Sequence, residues 1–252
     1  MEEKIGAQLY TLRDFTKTPA GIAESMKKVS RIGYRYVQIS GMGPIDTKEL
    51  KKILDGEGLK ACATHTGYPR IRDEFDAVVE EHSILQCPNI AIGGIPEEYR
   101  GSAESFARFA REASENARRL KELGFTFGYH NHSFELEKFG GKTAMQIMFE
   151  ESDPEVFTFE IDTYWIQHGG GDPAEYVKQM KGRILLLHLK DMAVHEGQPV
   201  MAEVGEGNLN WKRILEEAKN SGVKWYLIEQ DRCLRDPFES LKISFENLKG
   251  ML

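Results

Sequence analysis

The feature that most constrains the fold is a repeated alternation of short apolar runs with longer amphipathic segments. Eight runs predict strands, at residues 5–10, 36–39, 59–64, 89–92, 125–130, 156–161, 184–189 and 223–229. Apolar residues at helical spacing predict helices at residues 19–32, 47–55, 72–85, 102–123, 142–150, 173–180, 211–218 and 237–248. Eight such units predict an α/β fold, a (β/α)8 TIM barrel, as one domain over residues 1–252.

A doubly wound open sheet shows the same alternation and is the competing architecture. It requires a glycine-rich phosphate-binding turn after the first strand, but here the chain reads Gln8-Leu9-Tyr10-Thr11-Leu12-Arg13. No shift in composition, proline-rich linker or low-complexity tract divides the sequence. The barrel is therefore the preferred prediction.

Composition limits the partners and the location. The formal net charge of -7 disfavours nucleic acid, whose binding needs clustered Lys and Arg. No apolar run approaches the roughly 20 residues that span a bilayer, so we expect no membrane association. The three cysteines lack CxxC spacing and the first residues do not resemble a signal peptide, so we expect free thiols in a cytoplasmic protein. The sequence leaves the oligomeric state open, with a homo-oligomer among the options.

Metal-competent side chains stand at the ends of four consecutive predicted strands, the fifth to the eighth. They are His130, Asp162, His188 and Glu229. Because a barrel brings the C-terminal ends of its strands together, these residues predict one mixed nitrogen and oxygen site for Mn²⁺, Co²⁺, Zn²⁺ or Mg²⁺. Three of them have another explanation: Asp162 as a helix N-cap, His188 as a hydrogen-bonded core histidine, and Glu229 as a structural salt bridge.

The fifth predicted strand carries further candidates. His130 and His132 face the same side, because alternate residues of a strand do so. His132 could replace His130 as a ligand or act as an acid or base, and Glu135 is a third candidate for the fifth-strand ligand. Glu229, His130 and His132 are the predicted catalytic residues.

Four other side chains near predicted strand ends are candidates for substrate binding. Gln8 and His65 end the first and third strands, where they could form hydrogen bonds with a substrate hydroxyl group, and His65 could instead be structural. Trp165 could form an apolar wall against a sugar ring or simply pack under the loop that follows. Lys190 follows the seventh strand, and we expect it to point into the mouth of the barrel.

Two predicted connections, at residues 164–172 and 190–208, are longer than a tight turn. Long loops in compact domains are often lids or binding loops. Both follow strands, which places them on the face where barrel enzymes keep their active sites. We therefore expect Asp191, in the second loop, to point into the mouth as well.

Six stretches distributed along the chain carry a family resemblance. They are Gly6-Ala-Gln-Leu-Tyr-Thr-Leu-Arg13, Tyr129-His-Asn-His132, Glu160-Ile-Asp-Thr-Tyr-Trp165, His188-Leu-Lys-Asp191, Glu203-Val-Gly-Glu-Gly-Asn208 and Ile228-Glu-Gln-Asp231. Together they resemble the xylose isomerase-like superfamily of barrels, in its sugar phosphate isomerase/epimerase branch. Relatives in this superfamily include ketose 3-epimerases, inosose dehydratase, hydroxypyruvate isomerase, 3-keto-glycoside lyases and endonuclease IV.

The resemblance implies a set of metal ligands, and this sequence departs from the epimerase pattern at two positions. In the epimerases, Glu, Asp, His and Glu from strands five to eight hold the metal, and the last three correspond to Asp162, His188 and Glu229. The fifth-strand glutamate is replaced here by His130, and Trp165 stands where the epimerases carry a substrate-contacting histidine. The Tyr-His-Asn-His run is closer to the inosose dehydratase-like members.

The implied function is that of a divalent-metal-dependent sugar isomerase or epimerase. It would act on a sugar, keto-sugar or cyclitol by removing a proton next to a metal-chelated carbonyl and hydroxyl pair. One alternative is a metal-dependent dehydratase or lyase of the inosose dehydratase or 3-keto-glycoside type. The other is a non-catalytic sugar-binding barrel, which the two departures motivate.

Overall fold

Eight parallel strands close into a barrel in the computed structural model, which describes residues 4–252. The strands are β1 (Lys4–Gln8), β2 (Tyr36–Ile39), β3 (Lys60–His65), β4 (Asn89–Ile92), β5 (Thr126–His130), β6 (Phe157–Asp162), β7 (Ile184–Leu189) and β8 (Trp225–Ile228). Neighbours follow the order β1-β8-β7-β6-β5-β4-β3-β2, and β1 pairs with β2 to close the ring. The predicted (β/α)8 barrel is confirmed. Residues 1–3, where the predicted domain begins and where we expect no signal peptide, lie outside the described residues.

Helices surround the barrel. They are α1 (Pro19–Ile32), α2 (Thr47–Gly56), α3 (Tyr68–Asp73), α4 (Phe75–Leu85), α5 (Ala103–Glu122), α6 (Ala144–Glu151), α7 (Thr163–His168), α8 (Pro173–Gln179), α9 (Trp211–Ser221) and α10 (Pro237–Met251). The predicted helix at 72–85 is two helices, α3 and α4, separated by Glu74. The predicted loop at 164–172 contains α7, because Asp162 Oδ1 accepts a hydrogen bond from Trp165 N at 2.9 Å and caps this helix.

The inside of the barrel is apolar below its C-terminal end. Cys62, Ala63, Leu186 and Leu227 form a cluster of buried side chains there. A Cβ atom at Gly6 would lie 2.8 Å from Leu227 Cδ2, so a larger residue there would force the Leu227 side chain to shift. Each fully buried leucine stabilises the fold by about 1.5–3 kcal/mol. Since this layer fills the barrel, the strand ends beyond it are the place where polar side chains can meet.

The connection after β7 is built around Asp191. It contains a hairpin in which Asp191–His195 pairs with Gln198–Ala202. Asp191 is fully buried, and its carboxylate accepts hydrogen bonds from Gly205 N at 2.9 Å and Trp211 Nε1 at 2.5 Å. The expectation that Asp191 points into the mouth is therefore wrong, because its carboxylate satisfies N–H groups of its own loop. By holding that loop, Asp191 fixes the position of the hairpin.

Two expectations drawn from composition concern thiols and membranes. Cys62 and Cys87 are buried, Cys233 is half-buried, and all three thiols are free. Within residues 4–252, no helix has both the length and the apolar character needed to cross a bilayer.

Candidate active site

Strand pairing brings polar side chains together at the C-terminal end of the barrel. In the register between β6 and β7, Asp162 lies beside His188, and between β5 and β6, His130 lies beside Glu160. Glu229 directly follows β8, the neighbour of β7. All five side chains are buried. Parallel strands that end on one face thus make neighbours of residues that are distant in sequence.

The four predicted ligands form one cluster. A potential ligand atom from each of His130, Asp162, His188 and Glu229 lies within 4.8 Å of the others. Asp162 Oδ2 is 3.1 Å from His130 Nε2, and Glu229 Oε2 is 2.7 Å from His188 Nδ1. Nitrogen and oxygen ligands lie about 2.0–2.2 Å from ions such as Zn²⁺, so two ligands of one ion are at most about 4.4 Å apart. Small shifts of these side chains would therefore suffice to hold a metal ion. His130 Nδ1 is buried and has no hydrogen-bond partner in the described part of the chain. The residues present fit a divalent metal ion.

The alternative roles considered for three ligands are also present. Asp162 caps α7 through Oδ1, while its Oδ2 faces the cluster. Glu229 Oε2 is in a salt bridge with Lys190 Nζ at 2.8 Å. His188 Nε2 lies 2.7 Å from Gln38 Oε1. These contacts orient the side chains, and each is compatible with a place in the cluster.

Lys190 lies against the ligand carboxylates. Its side chain is fully buried, and Nζ is 2.9 Å from Asp162 Oδ2 and 2.8 Å from Glu229 Oε2. Burial disfavours the ammonium, but Asp162, Glu229 and Asp231 outweigh it and raise the pKa of Lys190 above its ordinary value. Burial likewise disfavours the Glu229 carboxylate, but Lys190 and His188 hold its pKa well below its ordinary value. Lys190 and Glu229 therefore carry opposite charges at neutral pH.

Glu160 is a central residue that the search for strand-end ligands missed. It is fully buried, and Oε2 lies 2.7 Å from His65 Nε2 while Oε1 lies 3.1 Å from His188 Nε2. Gln38 Nε2 donates to Oε1 at 2.8 Å. Although burial opposes ionisation, His188 and His65 hold the pKa of Glu160 well below its ordinary value. The sequence contained the information needed to find Glu160. It lies two residues before Asp162, and alternate residues of a strand share a face.

The three fifth-strand candidates have different surroundings. His132 lines the cavity near the cluster, and burial, assisted by Lys190, lowers its pKa to about 4. Glu135 is fully buried and accepts hydrogen bonds from Tyr129 OH at 2.6 Å and His132 N at 2.9 Å. Burial raises the pKa of Glu135 to about 7. Among the described residues, the ligand cluster includes His130 but neither His132 nor Glu135.

A cavity of about 1320 Å³ opens at the same end of the barrel. It is large enough for a monosaccharide or a cyclitol. Gln8, His65, His132 and Trp165 line it, and Gln8 Nε2 is 3.4 Å from His65 Nδ1. Gly93 makes room for this wall, because a Cβ atom there would lie 2.9 Å from His65 Nδ1. The structure thus places three predicted substrate-binding residues, Gln8, His65 and Trp165, around one cavity.

Comparisons with known proteins agree with this architecture. The family model described as xylose isomerase-like TIM barrel matches residues 26–250. The rhizopine catabolism protein MocC of Rhizobium meliloti is 22% identical over 267 residues, which cover 91% of this chain and 81% of that protein. Inosose dehydratase of Geobacillus thermodenitrificans is 23% identical over 256 residues, which cover 86% of this chain and 85% of the relative.

A solved structure gives the same result for the fold. A sugar phosphate isomerase/epimerase from Parabacteroides distasonis superimposes with a TM-score of 0.83 at 23% identity, over 98% of each chain. The family model spans most of the sequence and includes β2 to β8. The chain belongs to the xylose isomerase-like TIM barrel family.

Proposed function

We propose that the chain is a divalent-metal-dependent enzyme that isomerises or epimerises a sugar, keto-sugar or cyclitol. The observation that carries this proposal is the gathering of His130, Asp162, His188 and Glu229 beside a cavity of sugar size. When bound there, Mn²⁺, Co²⁺, Zn²⁺ or Mg²⁺ would polarise a substrate carbonyl and acidify the neighbouring C–H bond. The sugar phosphate isomerase/epimerase with the same fold is consistent with that class of reaction.

His132 is the proposed base. It lines the cavity, and its Nδ1 has no hydrogen-bond partner in the described residues. Burial lowers its pKa to about 4, so the imidazole is neutral at pH 7 and is a weak base that needs an acidified C–H bond. The other two predicted catalytic residues are engaged in the cluster, His130 with Asp162 and Glu229 with His188. For isomerisation, this base would return the proton to the adjacent carbon, while the proton of the neighbouring hydroxyl group passes to the former carbonyl oxygen.

The remaining wall residues would position the substrate. His65 is fixed through Nε2 by Glu160, so its orientation toward the cavity is set before substrate arrives. Gln8 lies beside His65 and offers amide groups that suit sugar hydroxyls. Trp165 offers an aromatic face for the apolar side of a sugar ring.

Dehydration is the second candidate reaction. Its support is His130 in place of the epimerase glutamate, together with the similarity to inosose dehydratase. Removal of a proton next to the carbonyl, with loss of a hydroxyl group from the following carbon, needs no base on the opposite face of the substrate. Epimerisation does need a second acid or base on that face. In dehydration, His132 would pass the abstracted proton to the departing hydroxyl group, which then leaves as water.

Metal analysis and solvent isotope exchange test the proposal. The purified protein is analysed for metals and incubated with Mn²⁺ in D₂O with a panel of keto-sugars, cyclitols and 3-keto-glycosides. We expect one divalent ion per chain and deuterium on the carbon next to the carbonyl of at least one compound. A product of unchanged composition indicates isomerisation or epimerisation, and loss of one water indicates dehydration. Absence of both metal and exchange contradicts the proposal and favours a sugar-binding barrel without catalysis.

A further inference from the structure

Lys190 contacts three carboxylates, and two of them belong to the proposed metal site. Nζ lies 2.9 Å from Asp162 Oδ2 and 2.8 Å from Glu229 Oε2. The third carboxylate is that of Asp231, whose Oδ2 is 3.1 Å from Nζ and whose Oδ1 is 3.3 Å away. Asp231 lies outside the ligand cluster and lines the cavity. The ammonium therefore lies between the metal-site oxygens and an acidic group of the cavity wall.

The two metal-site oxygens are those that face the cluster. Asp162 Oδ2 is 3.1 Å from His130 Nε2, and Glu229 Oε2 is 2.7 Å from His188 Nδ1. A metal ion held by these groups would lie about 2.0–2.2 Å from the same oxygens. An ammonium and a divalent cation that share two oxygens would repel each other strongly, because little water is available to screen them. Binding of one would therefore displace the other.

Asp231 gives the displaced ammonium a place to go. Its side chain is 24% exposed, whereas those of Asp162 and Lys190 are fully buried. The lysine side chain has a flexible four-carbon stem, so Nζ can turn without movement of the backbone. The face of Trp165, 5.9 Å from Nζ, is a second favourable surface for a cation on this side. The move keeps the ammonium paired and turns it toward the cavity.

We propose that Lys190 is an internal cation that competes with the metal, alternating between the ligand carboxylates of Asp162 and Glu229 and the cavity carboxylate of Asp231. This inference rests on the proposed function, because it requires a metal at the cluster. Metal binding would then deliver the ammonium to the cavity, where it can contact a substrate oxygen. Lys190 becomes a substrate-binding residue only after the metal is in place.

Titration of chelator-treated protein with Mn²⁺ in a calorimeter tests the competition. Lys190→Met removes the competing cation, so we expect Mn²⁺ to bind about tenfold more tightly than to the wild type. Asp231→Asn removes the alternative partner of the ammonium, so we expect about tenfold weaker binding. Lys142→Met is the matched control, because Lys142 is an exposed lysine in a salt bridge with Glu150, and its removal should leave the affinity unchanged.

Thermal unfolding with and without Mn²⁺ is the second readout. Without the ammonium, the carboxylates repel one another until a metal binds, so Mn²⁺ should raise the Tm of Lys190→Met more than that of the wild type. Unchanged or weaker Mn²⁺ binding by a folded Lys190→Met protein overturns the competition. If that variant does not fold, unchanged binding by Asp231→Asn overturns it. If the wild type binds Mn²⁺ and both variants bind it with the same affinity, only this inference is contradicted. If the wild type binds none of Mn²⁺, Co²⁺, Zn²⁺ and Mg²⁺, the proposed function is contradicted as well.

Discussion

Two buried glutamates near the mouth of the barrel have opposite protonation behaviour. Glu229 is 3% exposed and Glu135 is 0% exposed, so burial does not distinguish them. Glu229 Oε2 lies 2.8 Å from Lys190 Nζ and 2.7 Å from His188 Nδ1, and these partners overcome burial to keep its pKa low. Among the described residues, Glu135 accepts hydrogen bonds only from neutral donors, and burial raises its pKa to about 7.

The difference shows that the charge of the neighbours, more than depth, decides what a buried carboxyl group can do. Glu229 is ionised and faces other potential ligands, as a metal-binding carboxylate must. Glu135 bridges the hydroxyl of Tyr129 and the backbone of His132, and so holds the segment after β5 in place. His132 connects the surroundings of Glu135 with the cavity, since its backbone contacts Glu135 while its ring lines the cavity.

The largest expected effect comes from Glu229→Gln. This change removes the charge that compensates Lys190 and one proposed metal ligand, so metal affinity should fall at least 100-fold and turnover should be lost. Metal analysis and deuterium exchange measure the two losses on the same sample. Glu135→Gln is the matched control and should keep the metal. Full activity in a metal-free Glu229→Gln protein would contradict the proposed function.

His132→Phe should separate catalysis from metal binding. Phenylalanine preserves the ring that stacks on Phe134, with centroids 5.8 Å apart, but cannot accept a proton. Loss of a general base reduces kcat by about 100- to 10,000-fold. Calorimetric titration should show that Mn²⁺ still binds with wild-type affinity. An unchanged kcat would show that His132 is not the base.

The sequence predicts which side chains meet at the end of the barrel because it predicts the strand ends. Asp162 and His188 follow apolar runs whose length is clear, and a closed barrel brings such ends together whatever the details of the loops. The register of β6 with β7 then places the two side by side. The barrel and this part of the site follow from periodicity alone.

Other parts of the site depend on contacts that no local pattern contains. Glu135 is turned away from the cluster by the short helical turn at Phe134–Leu136, and only the fold shows that Tyr129 OH meets it. Asp191 is directed into its own loop by N–H groups 14 and 16 residues further along the chain. Lys190 is drawn to Asp162 and Glu229 because they are close in space. Such partners become visible only in three dimensions.

Glu135→Gln should change how stability depends on pH. In the folded protein, burial raises the pKa of Glu135 from 4.5 to about 7, so between these values the folded state keeps a proton that the unfolded state has lost. The free energy of unfolding of the wild type therefore falls as pH rises through this window. The variant lacks this contribution, and its stability relative to the wild type should rise by about 3 kcal/mol between pH 4.5 and 7.

Urea unfolding at several pH values measures this difference. Glu122→Gln, at an exposed position of α5, is the control and should give a curve parallel to that of the wild type. Only the change with pH is informative, because glutamine alters the hydrogen bonds of Tyr129 and His132 by an amount that does not depend on pH. Parallel curves for Glu135→Gln and the wild type would show that the buried carboxyl group titrates normally.

The smallest effect expected in this comparison of buried glutamates is that of Glu160→Gln. Glu160 is a third buried glutamate, and its behaviour lies between that of the other two. Like Glu229, Glu160 is kept ionised by its neighbours, but it contacts His188 through Nε2, whereas Glu229 contacts Nδ1 of the same ring. A carboxylate at Nε2 holds the proton there and leaves Nδ1 free to bind a metal. Its loss should weaken Mn²⁺ binding by about 10- to 100-fold.

Nitrogen-15 NMR of the histidine side chains tests the cause of that loss. In the wild type with Mg²⁺ or Zn²⁺ bound through Nδ1, His188 should carry its proton on Nε2, and in Glu160→Gln the proton should stay there while the Nε2 chemical shift moves toward that of a weaker hydrogen bond. His65 should change as well, because its Nε2 lies 2.7 Å from the same carboxylate. Weaker metal binding with an unchanged His188 Nε2 chemical shift would mean that Glu160 acts through charge alone. Glu160 would then differ from Glu229 only in its distance from the ion.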